Sequence, residues 1–400
     1  FFLYLISKNL FPKIKNINLC VIWFAIFIFI YHENSFFSGV AGQRVIDAGY
    51  QPASFGALFF IGIYLYLIKR IFLSIFFICL AASFHPTYIL HTGFLILGFI
   101  VHSLISKKYL EFFKISIFYF ILILPITLFI IFNFIIIEKD ITIIGQEILL
   151  GRIPHHANIH YWLSYKDLFS LLIYFFSLFL LKDNSKFFVL FGVFGFCSII
   201  LSLIQFFLDN NSLALAFPWR TSVFIIPISS LIVISYFINK IKIEDKKLKY
   251  IALSLILVSS LSFGYKSHYV KDLNSKFSSK LRLTSDIKKN FSTIDNLLIP
   301  ITLEDIRMNI GLPVFIDWKH HALRYDQLIE WRLRIDLASN FYKSRTLEEQ
   351  IFNLNKIQEI DYISHILIKT NDLKIECKNL INHKVFALVS VNECFDNAKN

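Results

Sequence analysis

The stretch FFVLFGVFGFCSIILSLIQFFL, residues 187–208, carries no charged side chain from end to end. As a helix at ~1.5 Å per residue it reaches roughly 33 Å, enough to cross the ~30 Å hydrocarbon core of a bilayer. It is apolar on every face, so no soluble packing arrangement hides it on one side only. Lys182 and Lys186 stand before it and Asp209 after it, as polar ends to a buried run.

Further apolar runs lie on both sides. The expected spans are Ile17–Tyr31, Ala53–Ile68, Ile71–Phe84, Tyr88–Ile105, Ile115–Ile137, Leu168–Leu181, Phe187–Leu208, Ser222–Ile238 and Tyr250–Phe263. Several fall short of the ~20 residues that a perpendicular helix needs, and such runs fit if tilted, re-entrant or buried within the bundle. The pair flanking Lys69 and Arg70 reads either as two spans or as one bent span. Composition agrees with the runs: 56% of residues are apolar and 17% charged, and the mean hydropathy is +0.61. A soluble protein of this length cannot bury that much apolar surface. The bilayer is therefore the expected partner. The chain opens on Phe1, with no basic leader and cleavage site, so a preceding N-terminal segment missing from this sequence is expected.

The net charge of +12 would suggest nucleic acid in a soluble chain. Here the basic residues form short clusters between apolar runs, which is what membrane topology requires, and no nucleic-acid partner is expected. One set of loops carries Lys8, Lys13, Lys15, then Lys69, Arg70, then Lys107, Lys108, Lys114, then Lys182, Lys186, and last Lys240, Lys242, Lys246, Lys247, Lys249. The alternating set has only Arg44, Lys139, Arg152, Lys166 and Arg220. The positive-inside rule makes the first set cytoplasmic. The unusual polar loops and the tail after Phe263 then fall on the extracytoplasmic face.

The tail is less apolar. Leu297–Ile299, Val314–Trp318, His365–Lys369 and Val385–Val391 read as strands, and Ala322–Tyr342 and Leu347–Ile360 have helical spacing. The expected fold is therefore mainly α. A transmembrane helical bundle of about nine spans over residues 1–264 is followed by a small extracytoplasmic α/β domain over 265–400, with a partly parallel sheet. Cys20, Cys79 and Cys197 lie in apolar runs and read as packing residues. Cys377 and Cys394 lie in the tail and form a candidate disulfide if that tail is extracytoplasmic.

Four loop motifs can carry chemistry. In Gly151-Arg152-Ile153-Pro154-His155-His156, Arg152 presents a planar fork suited to phosphate. His155 and His156 suit proton transfer or anion contact; adjacent histidines diverge and make a poor metal clamp. The bland reading is an interfacial segment with Tyr161, Trp162 and Tyr165 as an aromatic belt. Phe217-Pro218-Trp219-Arg220 places an arginine at the membrane surface, for a headgroup phosphate or merely for snorkelling. Gln43, Arg44 and Asp47 precede Gln51-Pro52; Arg44 and Asp47 pair locally on the plain reading. His85-Pro86 ends a span, with His85 facing the bundle interior or capping. Glu33 and Asp47 belong to the few carboxylates of this face and are the candidates for acid–base work. In the tail, Asp317, Lys319 and Arg332 form either a ligand edge or an ion-pair network. A divalent cation is a candidate cofactor with no ligand set selected. Gly-rich phosphate loops, Gly-x-Ser-x-Gly turns, Walker lysines and zinc-spaced Cys/His sets are absent from the sequence.

The order of Gln51-Pro52, His85-Pro86, Arg152–His156, Pro218–Arg220, Asp317–Lys319 and Glu330–Arg334 resembles that in polytopic bacterial membrane proteins of the GT-C glycosyltransferase type. The resemblance runs over most of the chain on short motifs. It implies sugar transfer from a polyprenyl-phosphate carrier at the outer face of the cytoplasmic membrane. An acid from the first extracytoplasmic loop would serve as base or metal ligand, and Arg152, His155, His156 and Arg220 would contact the donor phosphate. The other classes open on the sequence are a transporter or flippase of a lipid-linked anion, and a non-catalytic protein of surface-polymer assembly. The strong spans hold almost no charges, which disfavours transport.

Overall fold

The computed structural model describes residues 1–12, 18–21, 23, 39–43, 45, 52–240, 245–264, 279–290, 296–303, 305–322, 324–369, 379–382 and 386–392. It is mainly helical with one small sheet. The chain divides into two compact units, 1–137 with 149–263, and 138–148 with 264–400.

In the first unit the helices are α1 (Phe2–Leu10), α2 (Ala57–Leu67), α3 (Ile71–Phe84), α4 (Ile89–Ile105), α5 (Tyr109–Ile130), α6 (Lys139–Arg152, whose first part belongs to the second unit), α7 (Tyr165–Leu180), α8 (Ser185–Leu208), α9 (Ser222–Lys240) and α10 (Asp245–Gly264). Four helical stretches among the described residues are long and apolar enough to cross a bilayer: Pro86–Ile105, Tyr109–Phe134, Ser185–Leu208 and Asn211–Lys240. The chain is on that ground an integral membrane protein.

Of the nine expected spans, Tyr88–Ile105, Ile115–Ile137, Phe187–Leu208 and Ser222–Ile238 correspond to these four stretches. Ala53–Ile68, Ile71–Phe84 and Leu168–Leu181 appear as α2, α3 and α7, of 11, 14 and 16 residues. Tyr250–Phe263 lies within α10, and most of Ile17–Tyr31 lies outside the described residues. Local chemistry sets the short lengths. Lys69 adopts φ +62° and ends α2, so α2 and α3 are two helices packed side by side rather than one bent span. Pro86 lacks an N–H and stops α3 at His85. Ser164 and Asp167 close a capping box at the start of α7, with the Ser164 N–H donating to Asp167 Oδ2 at 2.9 Å.

α8 packs along α4, α7 along α9, and α5 across α3 and α4. At Gly98 an added Cβ would lie 2.9 Å from Leu190 Cδ1 and 3.1 Å from the Leu190 carbonyl. That glycine permits the close approach of α4 and α8, the usual device where helices meet in lipid. The core gathers Phe59, Tyr66, Phe99, Phe187, Phe194 and Phe224 among others. α5 buries little besides Ile115 and Ile123 and leaves Phe113, Ile117 and Phe120 exposed, a face suited to lipid.

The second unit is built on a four-stranded sheet of β1 (Leu297–Leu298), β2 (His365–Lys369), β3 (Asn379–Asn382) and β4 (Phe386–Ser390), in the order β1-β2-β4-β3. β1 runs parallel to β2, and β4 is antiparallel to both β2 and β3. α11 (Ser279–Asn290), α12 (Asp305–Ile310), α13 (Tyr325–Lys343) and α14 (Leu347–Ile360) complete it. Tyr342 in α13 donates to the carbonyls of Leu298 and Leu367 at 3.0 and 2.8 Å, pinning that helix to β1 and β2. The expected strand Val314–Trp318 is reduced to one parallel bridge between Leu297 and Val314. The cause is Asp317: its Oδ1 accepts the backbone N–H groups of Lys319 and His320 at 2.9 and 2.7 Å, turning the chain out of the sheet.

Candidate functional site

Arg220 lies at one end of the first unit, in the short helical turn Pro218–Thr221 that leads into α9. Phe217 before it takes φ +50°, ψ 54°, a left-handed conformation costly for a bulky residue. This turn brings the Phe217 ring under the guanidinium, with Arg220 Cζ 4.9 Å from the ring centroid. The Arg220 N–H donates to the Phe217 carbonyl at 2.8 Å and closes the turn.

Three side chains meet the half-buried guanidinium. Nε donates to Gln43 Oε1 at 2.9 Å. Nη1 donates to Thr87 Oγ1 at 2.5 Å and lies 3.3 Å from His85 Nε2. Guanidinium has no acceptor, so His85 Nε2 must offer its lone pair and the ring must be neutral with its proton on Nδ1. The electrostatics agree: burial first, and the Arg220 charge second, push His85 down to about 4. Among the described residues no carboxylate pairs with Arg220. A cation held by neutral groups in a region of low dielectric is a place for an anion.

The neighbours extend the site. Trp219 Nε1 donates to the His156 carbonyl at 3.1 Å, tying the Pro154–Ala157 turn to the Arg220 turn. Burial, then the charges of His155 and Arg220, lower the His156 pKa, while a hydrogen bond to the Ala41 backbone works against them. Tyr88 donates to the Ala53 carbonyl at 2.7 Å and fixes the His85–Tyr88 turn. Buried His91 lies 2.8 Å from Thr221 through Nδ1.

Beside this cluster is an apolar cavity of about 220 Å³, walled by Trp162, Trp219, Tyr174, Phe206, Ile225 and others from α7, α8 and α9. Its polar wall groups are largely spent inward. Tyr174 donates to the Phe191 carbonyl at 3.1 Å, and Ser198 donates to the Pro218 carbonyl at 2.6 Å. Trp219 and Ser222 line the cavity and flank Arg220 and Thr221 in the chain, so the apolar wall and the arginine share one turn.

Of the residues expected from sequence, Arg220, His85 and His156 are brought together. His155 is exposed with its ring 4.1 Å from that of His156. Arg152 ends α6, half-buried, and is not among the hydrogen-bonding partners of His85 and Thr87 described above. Glu33, Arg44 and Asp47 lie outside the described residues, as do Cys377 and Cys394. Among the described residues no group of three His, Cys, Asp or Glu side chains is placed to hold a metal ion. Two of the three tail candidates form ion pairs with residues outside the trio. Asp317, 1% exposed, pairs with Arg307 at 3.5 Å and His320 at 2.9 Å. Lys319 gives Asp317 its backbone N–H, while Arg332 pairs with Asp336 at 3.0 Å one turn along α13.

Sequence reasoning missed Thr87, Tyr88, His91 and Thr221. Thr87 and Tyr88 sit within the motif around His85-Pro86, and His91 follows one turn later, so the spacing held a signal. His91 was hidden because it stands inside an apolar run. No protein-family model, no curated protein and no solved structure matches this chain.

Proposed function

We propose that the chain is a membrane-embedded glycosyltransferase-like protein that takes its sugar from a polyprenyl-phosphate carrier at the extracytoplasmic face. The observation that carries this reading is Arg220, bound by Gln43, Thr87 and His85 with no described carboxylate, beside an apolar cavity. A phosphate on a hydrocarbon chain needs such a pair: charge-assisted donors at the interface and an apolar wall for the chain.

The sidedness rests on charge. Lys69, Lys108 and Glu111 are the charged neighbours of Lys186, which donates to the Tyr66 carbonyl at 2.7 Å, and Lys108 lies 3.6 Å from Glu111. These belong to the basic loop set that the positive-inside rule assigns to the cytoplasm; the Arg220 loops belong to the other set.

In the transfer, the bond between the sugar C1 and the carrier phosphate oxygen breaks as C1 bonds the acceptor oxygen. The acceptor proton passes to a base, for which His155 is the described candidate and Glu33 and Asp47 the candidates outside the described residues. Arg220 stabilises the negative charge left on the carrier phosphate. Binding of the carrier without transfer is the second reading, favoured by the lack of a described carboxylate at Arg220.

The test incubates the full chain in lipid nanodiscs with farnesyl-phosphate-linked sugars and follows released farnesyl phosphate by phosphorus NMR. Wild type releases it, and Arg220→Ala and Arg152→Ala abolish release while expression holds. Wild-type turnover in both variants overturns the site. Farnesyl phosphate binding without release supports the second reading.

A further inference from the structure

Around Arg220 are two side chains more than nine-tenths buried, each with one polar atom that has no hydrogen-bond partner among the described residues. Gln43, 7% exposed, spends Oε1 on Arg220 and leaves the Nε2 amide without a partner. His91, fully buried, spends Nδ1 on Thr221 and leaves Nε2 without a partner. The charged and titratable groups near His91 include Arg220, His85 and Tyr88. Buried polar atoms are nearly always paired, so two such atoms in one cluster point to a polar ligand that pairs with them.

The chemistry of each group follows from its neighbours. Thr221 has one hydroxyl hydrogen and gives it to the Pro218 carbonyl at 3.1 Å. With the hydroxyl hydrogen so assigned, its lone pairs receive the Nδ1 hydrogen of His91 at 2.8 Å, and in this tautomer of neutral His91 the Nε2 is a bare acceptor. Gln43 Nε2 can only donate. The cluster therefore offers donors from Arg220 and Gln43 and one buried acceptor from His91. A simple anion satisfies the donors and is repelled by the acceptor. A hydroxyl beside the anion satisfies both.

We infer that His91 Nε2 is a hydroxyl-recognising subsite, so that the Arg220 cluster selects phosphate esters carrying a free hydroxyl near the phosphate. This rests on the reading of Arg220 as the phosphate site and names the substrate feature that the same site selects. His91 is a specificity-determining residue on this account.

The experiment compares n-propyl phosphate with glycerol 3-phosphate, two esters that differ in hydroxyl content, by calorimetric titration of the full chain in nanodiscs. Wild type binds glycerol 3-phosphate about tenfold more tightly, the worth of one hydrogen bond to a buried group. His91→Phe binds both esters with the affinity of the propyl ester, and His91→Gln, which restores an acceptor, recovers part of the preference. Equal binding by wild type, or a preference that survives in His91→Phe, overturns the inference while leaving the phosphate site standing. If His91→Phe does not fold, the wild-type ratio and His91→Gln decide. Undiminished binding of both esters to Arg220→Met, or no binding of either to wild type, overturns the phosphate site itself.

Discussion

Gly195 in α8 faces Tyr174 of α7 across the wall of the apolar cavity. Tyr174 is 1% exposed and donates to the carbonyls of Phe191 and Gly192 at 3.1 and 3.3 Å. A Cβ at Gly195 would fall on the Tyr174 hydroxyl and its ring carbon, and 2.9 Å from Cε2. The ring is rigid and enclosed, so it must swing away as a body. Gly195→Ala then incurs an overpacking cost of ~1–3 kcal/mol and loses a buried hydrogen bond worth ~0.5–1.5 kcal/mol, together about 2–4 kcal/mol. Helix propensity favours alanine by ~1 kcal/mol or less, too little to reverse the sign. Thermal unfolding of the nanodisc-embedded chain reads the effect, with a fall of at least ~2 °C expected. In a Tyr174→Leu background the ring is gone and the added methyl should cost under ~0.5 kcal/mol, which makes the coupling the measured quantity. An unchanged midpoint for Gly195→Ala alone, or equal costs in both backgrounds, refutes the packing of α7 on α8 described here.

Other outcomes follow from the same contacts. His85 gains its proton near 6.5 when unfolded but only near about 4 in place. The unfolded chain therefore holds more protons between those values, and stability is full above 6.5 and falls as pH drops toward 4. His85→Gln, which can still accept from Arg220, should flatten that part of the stability–pH curve; an identical curve contradicts the burial of the ring. Asp317→Ala removes the acceptor of two backbone N–H groups and the partner of Arg307 and His320. It should cost about 2–3 kcal/mol and speed hydrogen exchange at the Lys319 and His320 amides, and unchanged exchange there would count against the turn. Trp219→Phe keeps the cavity wall but drops the bond to the His156 carbonyl. It should loosen the Pro154–Ala157 turn, read as faster exchange in that segment.

Much of this was legible because it rests on local chemistry. The charge-free run at 187–208 becomes α8, Ser185–Leu208. The short apolar run in His365–Lys369 becomes β2 residue for residue, and Leu347–Ile360 becomes α14 within the same bounds. Arg220 and His85 were marked by proline-bearing motifs at span ends, and they meet. The rest depended on contacts distant in sequence. Hydropathy could not say that Lys69 would end α2 in a left-handed turn, so the pair around Lys69 and Arg70 stayed open between two spans and one bent span. The run Val314–Trp318 has strand character, but Asp317 folds back on its own chain and breaks it. His91 carried no motif in the sequence, because its partner Thr221 lies 130 residues away. Gln43 was noted only beside Arg44 and Asp47, and its partner Arg220 lies 177 residues on.

The account depends on a carrier lipid lying with its phosphate at Arg220 and its chain in the neighbouring cavity. Photo-crosslinking with a diazirine-bearing prenyl phosphate, mapped by mass spectrometry, tests this most directly. Labelling should concentrate on the cavity wall, at Trp162, Phe206 and Trp219, and should fall away in Arg220→Met. Labelling spread over the exposed face of α5, at Phe113, Ile117 and Phe120, and unaffected by Arg220→Met, would contradict it.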